Sequence, residues 1–284
     1  MSQSFKQRSN PIAGHGLLFE ARASYAFVER NFYIVRRYWG WEFAFLIFNV
    51  ASSMSVLYIG EAQGGSAADT EKLVLYLGIG TVVWAYLRAV FSNIGEMITW
   101  ERWEGTIEYT MMAPISRLTH MLGVSVFSIV YGLARSALLL GVLSLFFDVN
   151  LGGANLLGAT IILLVGSLSF IGFGIMAASL PLLFPERGEE MTFVISSVLL
   201  LVSGVYYPID VLPGWMQVLA RVSPATYVLK GMRATILDGV STSHIGPYLL
   251  PTLLIGLLAV PLGITVFNAA ERYAKRSGRL KRSG

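Results

Sequence analysis

Solid apolar runs separated by short polar intervals set the plan of this chain. They cover 42–59, 73–94, 119–147, 156–184, 191–207 and 248–270. None shows the alternation of a barrel strand. Each is near the roughly 20 residues that a helix needs to cross a bilayer. The pattern predicts an all-α polytopic membrane protein with six transmembrane helices. The run 119–147 exceeds what a hydrocarbon core of about 30 Å requires, so it should tilt or protrude. Pro181 interrupts the fourth run, and Pro251 and Pro261 lie in the sixth.

Two stretches depart from this pattern. Residues 19–41 are amphipathic, with Ala23, Phe27, Ile34, Tyr38 and Trp41 on one face and Arg22, Glu29 and Arg36 opposite. Arg30 intrudes near the apolar face. The mixture of aromatics and arginines predicts a helix in the cytoplasmic interface, with packing on protein as the plainer alternative. The segment 208–240 holds two short helical patterns, at 214–222 and 224–237. Both are too short to span and too apolar for an open loop. Irregular backbone at membrane depth is tolerated only where protein or water covers it. A re-entrant hairpin between spans five and six meets that constraint.

Composition narrows the class. Of 284 residues, 55% are hydrophobic and 13% charged, against about 25% charged in soluble domains. The chain has no cysteine, which excludes disulfides and thiol chemistry. Its net charge of +4 is concentrated at the two ends, so topology explains it better than nucleic-acid binding does. Six spans put both termini on one side. Six Lys or Arg residues lie before residue 42, six lie after 270, and Arg88, Arg102, Arg117 and Arg187 join them, sixteen in all. Lys72, Arg221, Lys230 and Arg233 lie on the other side. The positive-inside rule therefore places both termini in the cytoplasm, with the spans in the inner (plasma) membrane. The domain plan is a cytoplasmic tail and interfacial helix (1–41), a six-span unit (42–270) and a basic tail (271–284). No cleavable signal peptide is visible in the polar first forty residues.

Enzyme chemistry finds no footing. A phosphate-binding loop needs lysine directly after glycine, and that pair never occurs. His15, His120 and His244 are scattered, and no serine sits in a nucleophile elbow. Arg135 falls mid-way along span three, where an arginine costs about 2.5–3.5 kcal/mol on insertion scales. With no carboxylate at a span centre, it must face a wet cavity, carbonyls, or an acidic headgroup or substrate, which makes it a possible pathway residue. The same lack of carboxylates argues against an ion-coupled secondary transporter. Ser128, Gly132 and Ser136 form a small-residue ridge on that span.

The stretch Trp100-Glu101-Arg102-Trp103-Glu104-Gly105-Thr106-Ile107-Glu108 lies between two apolar runs, on the cytoplasmic side. Glu96, Glu101, Glu104 and Glu108 are spaced so that the last three share roughly one helix face. Gly105 and Thr106 break or cap the helix, and Pro114 ends it. A solvated loop explains the charge equally well.

Two motifs change that balance. Glu104-Gly105-Thr106-Ile107-Glu108 followed by Met112-Ala113-Pro114-Ile115-Ser116 resembles the segment between spans two and three of ABC-2-type exporter permeases. Downstream, Ser203-Gly204, Pro208, Leu212-Pro213-Gly214-Trp215, Ser223-Pro224-Ala225-Thr226-Tyr227 and Gly231-Met232-Arg233 resemble a second run of that family. The likeness covers about 23–270. Met111-Met112 in place of a leucine pair, and Trp103 before the glutamate, depart from the pattern.

The resemblance implies a homodimer, or a pairing with a homologous permease, carried on two copies of an ABC ATP-binding subunit. That subunit binds ATP and magnesium, and this chain binds no cofactor or metal. Segment 96–116 would hold a coupling helix seated in the ATPase, carried by Glu96, Glu101, Glu104, Gly105, Thr106, Glu108 and Pro114. The turn with Glu186 and Arg187 would be a smaller second contact. Pro208, Pro213, Trp215, Pro224 and Tyr227 would form a re-entrant gate. The substrate would be hydrophobic or amphipathic, a drug-like compound or lipid, with a lipid-linked polysaccharide as the alternative. A membrane scaffold without transport would not need the coupling segment.

Overall fold

The computed structural model describes residues 17–63, 65–113, 115–147 and 152–277. Every regular element among them is helical. In chain order they are α1 (Leu17–Arg37), α2 (Trp39–Ala62), α3 (Ala67–Gly95), α4 (Met97–Trp103), α5 (Ile107–Met112), α6 (Arg117–Leu143), α7 (Leu156–Ala177), α8 (Ser179–Leu183), α9 (Gly188–Val202), α10 (Gly214–Val222), α11 (Pro224–Ile236) and α12 (Gly246–Arg276).

Five helices are long and apolar enough to cross a membrane: α2, α3, α6, the α7–α8 pair and α12. The remaining expected span, the fifth, is shorter than its apolar run. Helix α9 stops at Val202 after 15 residues, about 22 Å at the usual rise. The chain then leaves helical geometry at Ser203 and Gly204 instead of continuing to residue 207. Hydropathy does not locate this break sharply, because Ser203 to Tyr207 carry no charge and include Val205, Tyr206 and Tyr207.

Helix α3 is the central stave. Its buried face includes Tyr86, Leu87, Val90, Phe91 and Ile94, and α2, α6, α7, α9 and α11 all pack on it. Helices α7 and α12 approach until their backbones touch. A β-carbon on Gly172 would lie 2.6 Å from the Ala259 carbonyl carbon, and one on Gly263 would lie 2.7 Å from Gly172 O. Helix α2 is held far more loosely and buries only Ser53, Leu57 and Gly60.

Helix α1 corrects the expectation of a purely interfacial helix. One side packs along α6, where a β-carbon on Gly123 would meet Ser24 O at 2.5 Å. The Phe27 and His120 rings sit 4.4 Å apart in the same seam. The other side leaves Tyr25, Phe32 and Tyr33 exposed. The plainer alternative, packing on protein, therefore holds for one face, and the exposed aromatics lie on the other. At the far end of the chain, α12 continues through Glu271 to Arg276, so the expected basic tail begins as helix.

Because α1 and α6 meet backbone to side chain at Gly123, Gly123→Val should push α1 away. Overpacking of this kind costs about 1–3 kcal/mol. The expected result is a lower unfolding temperature of the purified protein, with faster proteolysis within α1.

Candidate functional site

The site is built where the two short helices between spans meet the rest of the chain. Gly105 adopts φ +70°, a left-handed geometry that L-residues with side chains avoid. It makes the expected break, separating α4 from α5, so the glutamates do not share the face their spacing suggested. Glu101 turns inward and Glu108 outward.

Glu101 is 1% exposed. Its Oε1 accepts from Arg30 Nη1 at 2.8 Å and from Thr110 Oγ1 at 3.1 Å. His120 Nε2 lies 3.2 Å from the same oxygen. Arg30 also donates to Thr106 Oγ1 at 3.2 Å. One buried carboxylate thus ties α1, α4, α5 and α6 together. Burial pushes the Glu101 carboxyl up, but the hydrogen bonds and charges of His120 and then Arg30 outweigh it. It titrates below its ordinary value. Arg30, which the sequence pattern leaves as an imperfection of the apolar face, is the cation that makes this burial tolerable.

A second cluster clamps the other end of α5. Arg117 donates from Nη1 to Thr110 O at 3.0 Å and from Nη2 to Met111 O at 2.8 Å. It thereby covers carbonyls that the end of α5 leaves free. Its Nε bonds Glu271 Oε1 on α12 at 3.0 Å, and Lys275 Nζ reaches the same oxygen at 2.7 Å. Glu104 is half-buried and accepts from Tyr38 Oη at 3.0 Å. Arg37 approaches it only to 3.9 Å.

What remains free on α4–α5 is a compact outward surface. Trp103, Glu108, Tyr109 and Met112 are exposed, Tyr109 and Met112 at 74% each, and Trp100 is partly so. The turn bearing Glu186 and Arg187 is exposed at the same end of the bundle, since α8 packs against α4. Pro114 lies outside the described residues. Glu96 joins α3 to α4 and its carboxyl is raised to about 7, by burial first and by Glu189 second. Arg88 and a hydrogen bond from Ser92 pull it the other way.

The expected gate residues divide into two groups. Pro208, Pro213 and Trp215 are exposed. Pro224 is buried at the start of α11, and Tyr227 Oη donates to Arg221 O at the end of α10, at 2.8 Å. Helix α11 lies along the first half of α7, with Thr235 beside Gly158 and Val228 beside Gly166. Its start therefore lies about 20 Å along α7 from that helix's own start. Ser203 Oγ, just past α9, meets Ser223 Oγ at 2.7 Å at the base of the α10–α11 hairpin. Arg233 donates to Gly204 O at 3.0 Å and Val205 O at 2.6 Å, and its guanidinium lies 3.5 Å from the Tyr76 ring centre. This substitutes for the helical bonds that α9 forgoes by ending early.

Arg135 does have an acidic partner. Its Nη1 lies 3.5 Å from Glu42 Oε2, in the first turn of α2, and 3.0 Å from Tyr131 Oη, which itself donates to Glu42. Sequence distance hid the pair, because Glu42 sits at the edge of its apolar run while the long arginine side chain reaches it from α6.

Comparison with known proteins fits this architecture. The ABC-2 type transporter family profile matches residues 25–237. The chain belongs to the ABC-2 type transporter family. The match takes in α4, α5 and the hairpin and stops before α12, short of the expected 270. No curated protein matches the sequence. As an ABC-2 chain this is a transmembrane permease component of an ABC transporter, multi-pass, from a family that normally works with an ABC ATP-binding subunit.

Arg30→Met should strand Glu101 and destabilise the protein by about 2 kcal/mol, less than a fully buried pair because Arg30 is partly exposed. Arg30→Met combined with Glu101→Met should recover part of that loss in thermal unfolding. The raised Glu96 carboxyl has the opposite sign from an ordinary ion-paired acid. Between about pH 4.5 and 7 the folded state holds the extra proton, so stability is full at the acid end of the window and falls as pH rises through 7. Glu96→Gln should flatten the unfolding temperature across that window, while Glu101 contributes its loss only at lower pH.

Proposed function

We propose that this permease is the membrane half of an ATP-driven exporter, with α4 and α5 as the coupling element. The supporting observation is the two-sidedness of α4–α5. Their inner residues are ion-clamped to α1, α6 and α12, while Trp103, Glu108, Tyr109 and Met112 face outward. Rigid short helices with an aromatic outer surface suit a partner groove, since exposed aromatics are enriched where interfaces carry their energy. Glu186 and Arg187 extend the same end. Glu101, buried, acts inside the chain as the strut that passes movement from α4 to α1 and α6.

In this reading two ATP-binding subunits, holding ATP and magnesium, carry two permeases, either copies of this chain or this chain and a homologue. The exposed apolar residues Phe45 and Phe48 of α2 and Phe193, Val194 and Val198 of α9 supply surface for the second permease. Both helices flank α3. The sixteen cytoplasmic cations support termini inside an inner (plasma) membrane. The α10–α11 hairpin re-enters from the outer side and Pro208, Pro213, Trp215, Pro224 and Tyr227 shape its gate, with α9 completed by non-helical chain under Arg233. The cargo is a hydrophobic or amphipathic molecule, drug-like or lipid, leaving the cytoplasm or inner leaflet.

Co-purification with a candidate ABC ATP-binding subunit tests the coupling assignment. Trp103→Asp and Glu108→Arg should each lower recovery of the complex by about tenfold, with the permease itself remaining monodisperse. Unchanged assembly and ATP turnover in both variants would show that α4–α5 is not the coupling element.

A further inference from the structure

Helices α6 and α7 both pack on α3 but scarcely on each other. Between them, toward the α2–α3 turn, lies a cavity of about 780 Å³. That is within the size range of pockets that hold drug-sized molecules. Its walls are apolar, among them Val82, Val83, Leu133, Leu140, Leu163 and Met232. Two features distinguish it from a simple gap between helices. Ser136 is only 9% exposed and lines the cavity, yet its hydroxyl forms no hydrogen bond among the described residues. At the mouth stand Glu61, Thr70 and Glu71. Both carboxylates are exposed, and neither forms an ion pair among the described residues. The end of α2 and the start of α3, residues 60–72, carry Glu61, Asp69 and Glu71 against Lys72 alone, a net charge of −2. Asp69 is occupied by Ser66, which donates to it at 2.6 Å. Lys72 does not line the cavity.

We propose that this cavity binds a lipophilic cation, its apolar body between α3, α6 and α7, its positive group at Glu61 and Glu71, and a polar atom of the body on Ser136 Oγ. The assignment of such a molecule as cargo rests on the export reading; the binding site itself does not. Charge selects the occupant. A carboxylate beside an apolar wall is less well screened than one in open water, so it favours a cation and disfavours an anion. A neutral molecule gains only the apolar part. A β-carbon on Gly78 would have Leu57 Cδ2 as its nearest neighbour, at 3.9 Å, so a large side chain there can occupy the cavity without a backbone clash.

The experiment is equilibrium binding to the full-length permease in nanodiscs, followed by fluorescence anisotropy against empty nanodiscs. Rhodamine 6G serves as the lipophilic cation and Nile red as the neutral probe. Glu61→Gln with Glu71→Gln, both at exposed positions, should weaken rhodamine 6G by about tenfold, the effect of about 1.4 kcal/mol. Nile red should change less than about twofold. Gly78→Phe should weaken both dyes. Equal response of the two dyes to the carboxylate changes would overturn the proposal, as would wild-type binding by Gly78→Phe. A bilayer acyl chain as the sole occupant predicts the first of those results. Should the dyes follow the expected pattern while the complete ATP-driven complex fails to move rhodamine 6G, the site stands and its assignment as a cargo site falls.

Discussion

A carboxylate sealed from water holds the α4–α5 end of this permease together. Glu101 is stable where it is only because Arg30, Thr110 and His120 reach it from three different helices. An isolated ion in such a place would cost several kcal/mol. The geometry is correspondingly inflexible, since moving α4 away from any one of these partners strips the charge of compensation. Arg117 acts similarly on the other side, covering the α5 carbonyls while engaging Glu271. The short helices are therefore fixed to both an early and a late helix of the chain, and a push on them is shared rather than absorbed.

The opposite side solves a different problem. Ending α9 at Val202 leaves backbone carbonyls in a buried stretch, Ser203 to Val205. Arg233 bonds two of them and rests on Tyr76, while Ser203 and Ser223 satisfy each other. The motif residues downstream of α9 thus have a local structural task as well as any part in gating. A short helix, a turn and a hairpin form one hydrogen-bonded unit seated on α7 and α3.

Much of this was legible from pattern alone. The apolar runs marked α2, α3, α6, α7–α8 and α12, and the charged interval between α3 and α6 marked the candidate site. What pattern could not supply were partners. Arg30 and Glu101 are 71 residues apart, and Arg135 and Glu42 are distant too, so periodicity assigned each to a face without saying what faced it. The helix period also fails across a break. With Gly105 in a left-handed conformation, Glu101 and Glu108 belong to different helices, and the common face computed from their spacing does not exist. Similarly, the uncharged residues beyond Val202 extended the apolar run without revealing that their backbone had left the helix.

The touching backbones of α7 and α12 bear on which parts of the molecule can move. Two helices in contact at Gly172 and Gly263 have no side-chain layer between them to deform, so they can neither slide nor roll without a clash. They behave as a chassis. Helix α2, with three buried residues, is attached to that chassis chiefly through α3 and α6. Movement within the bundle is therefore easier for α2, held by three buried residues, than for α7 and α12, whose contact leaves no slack.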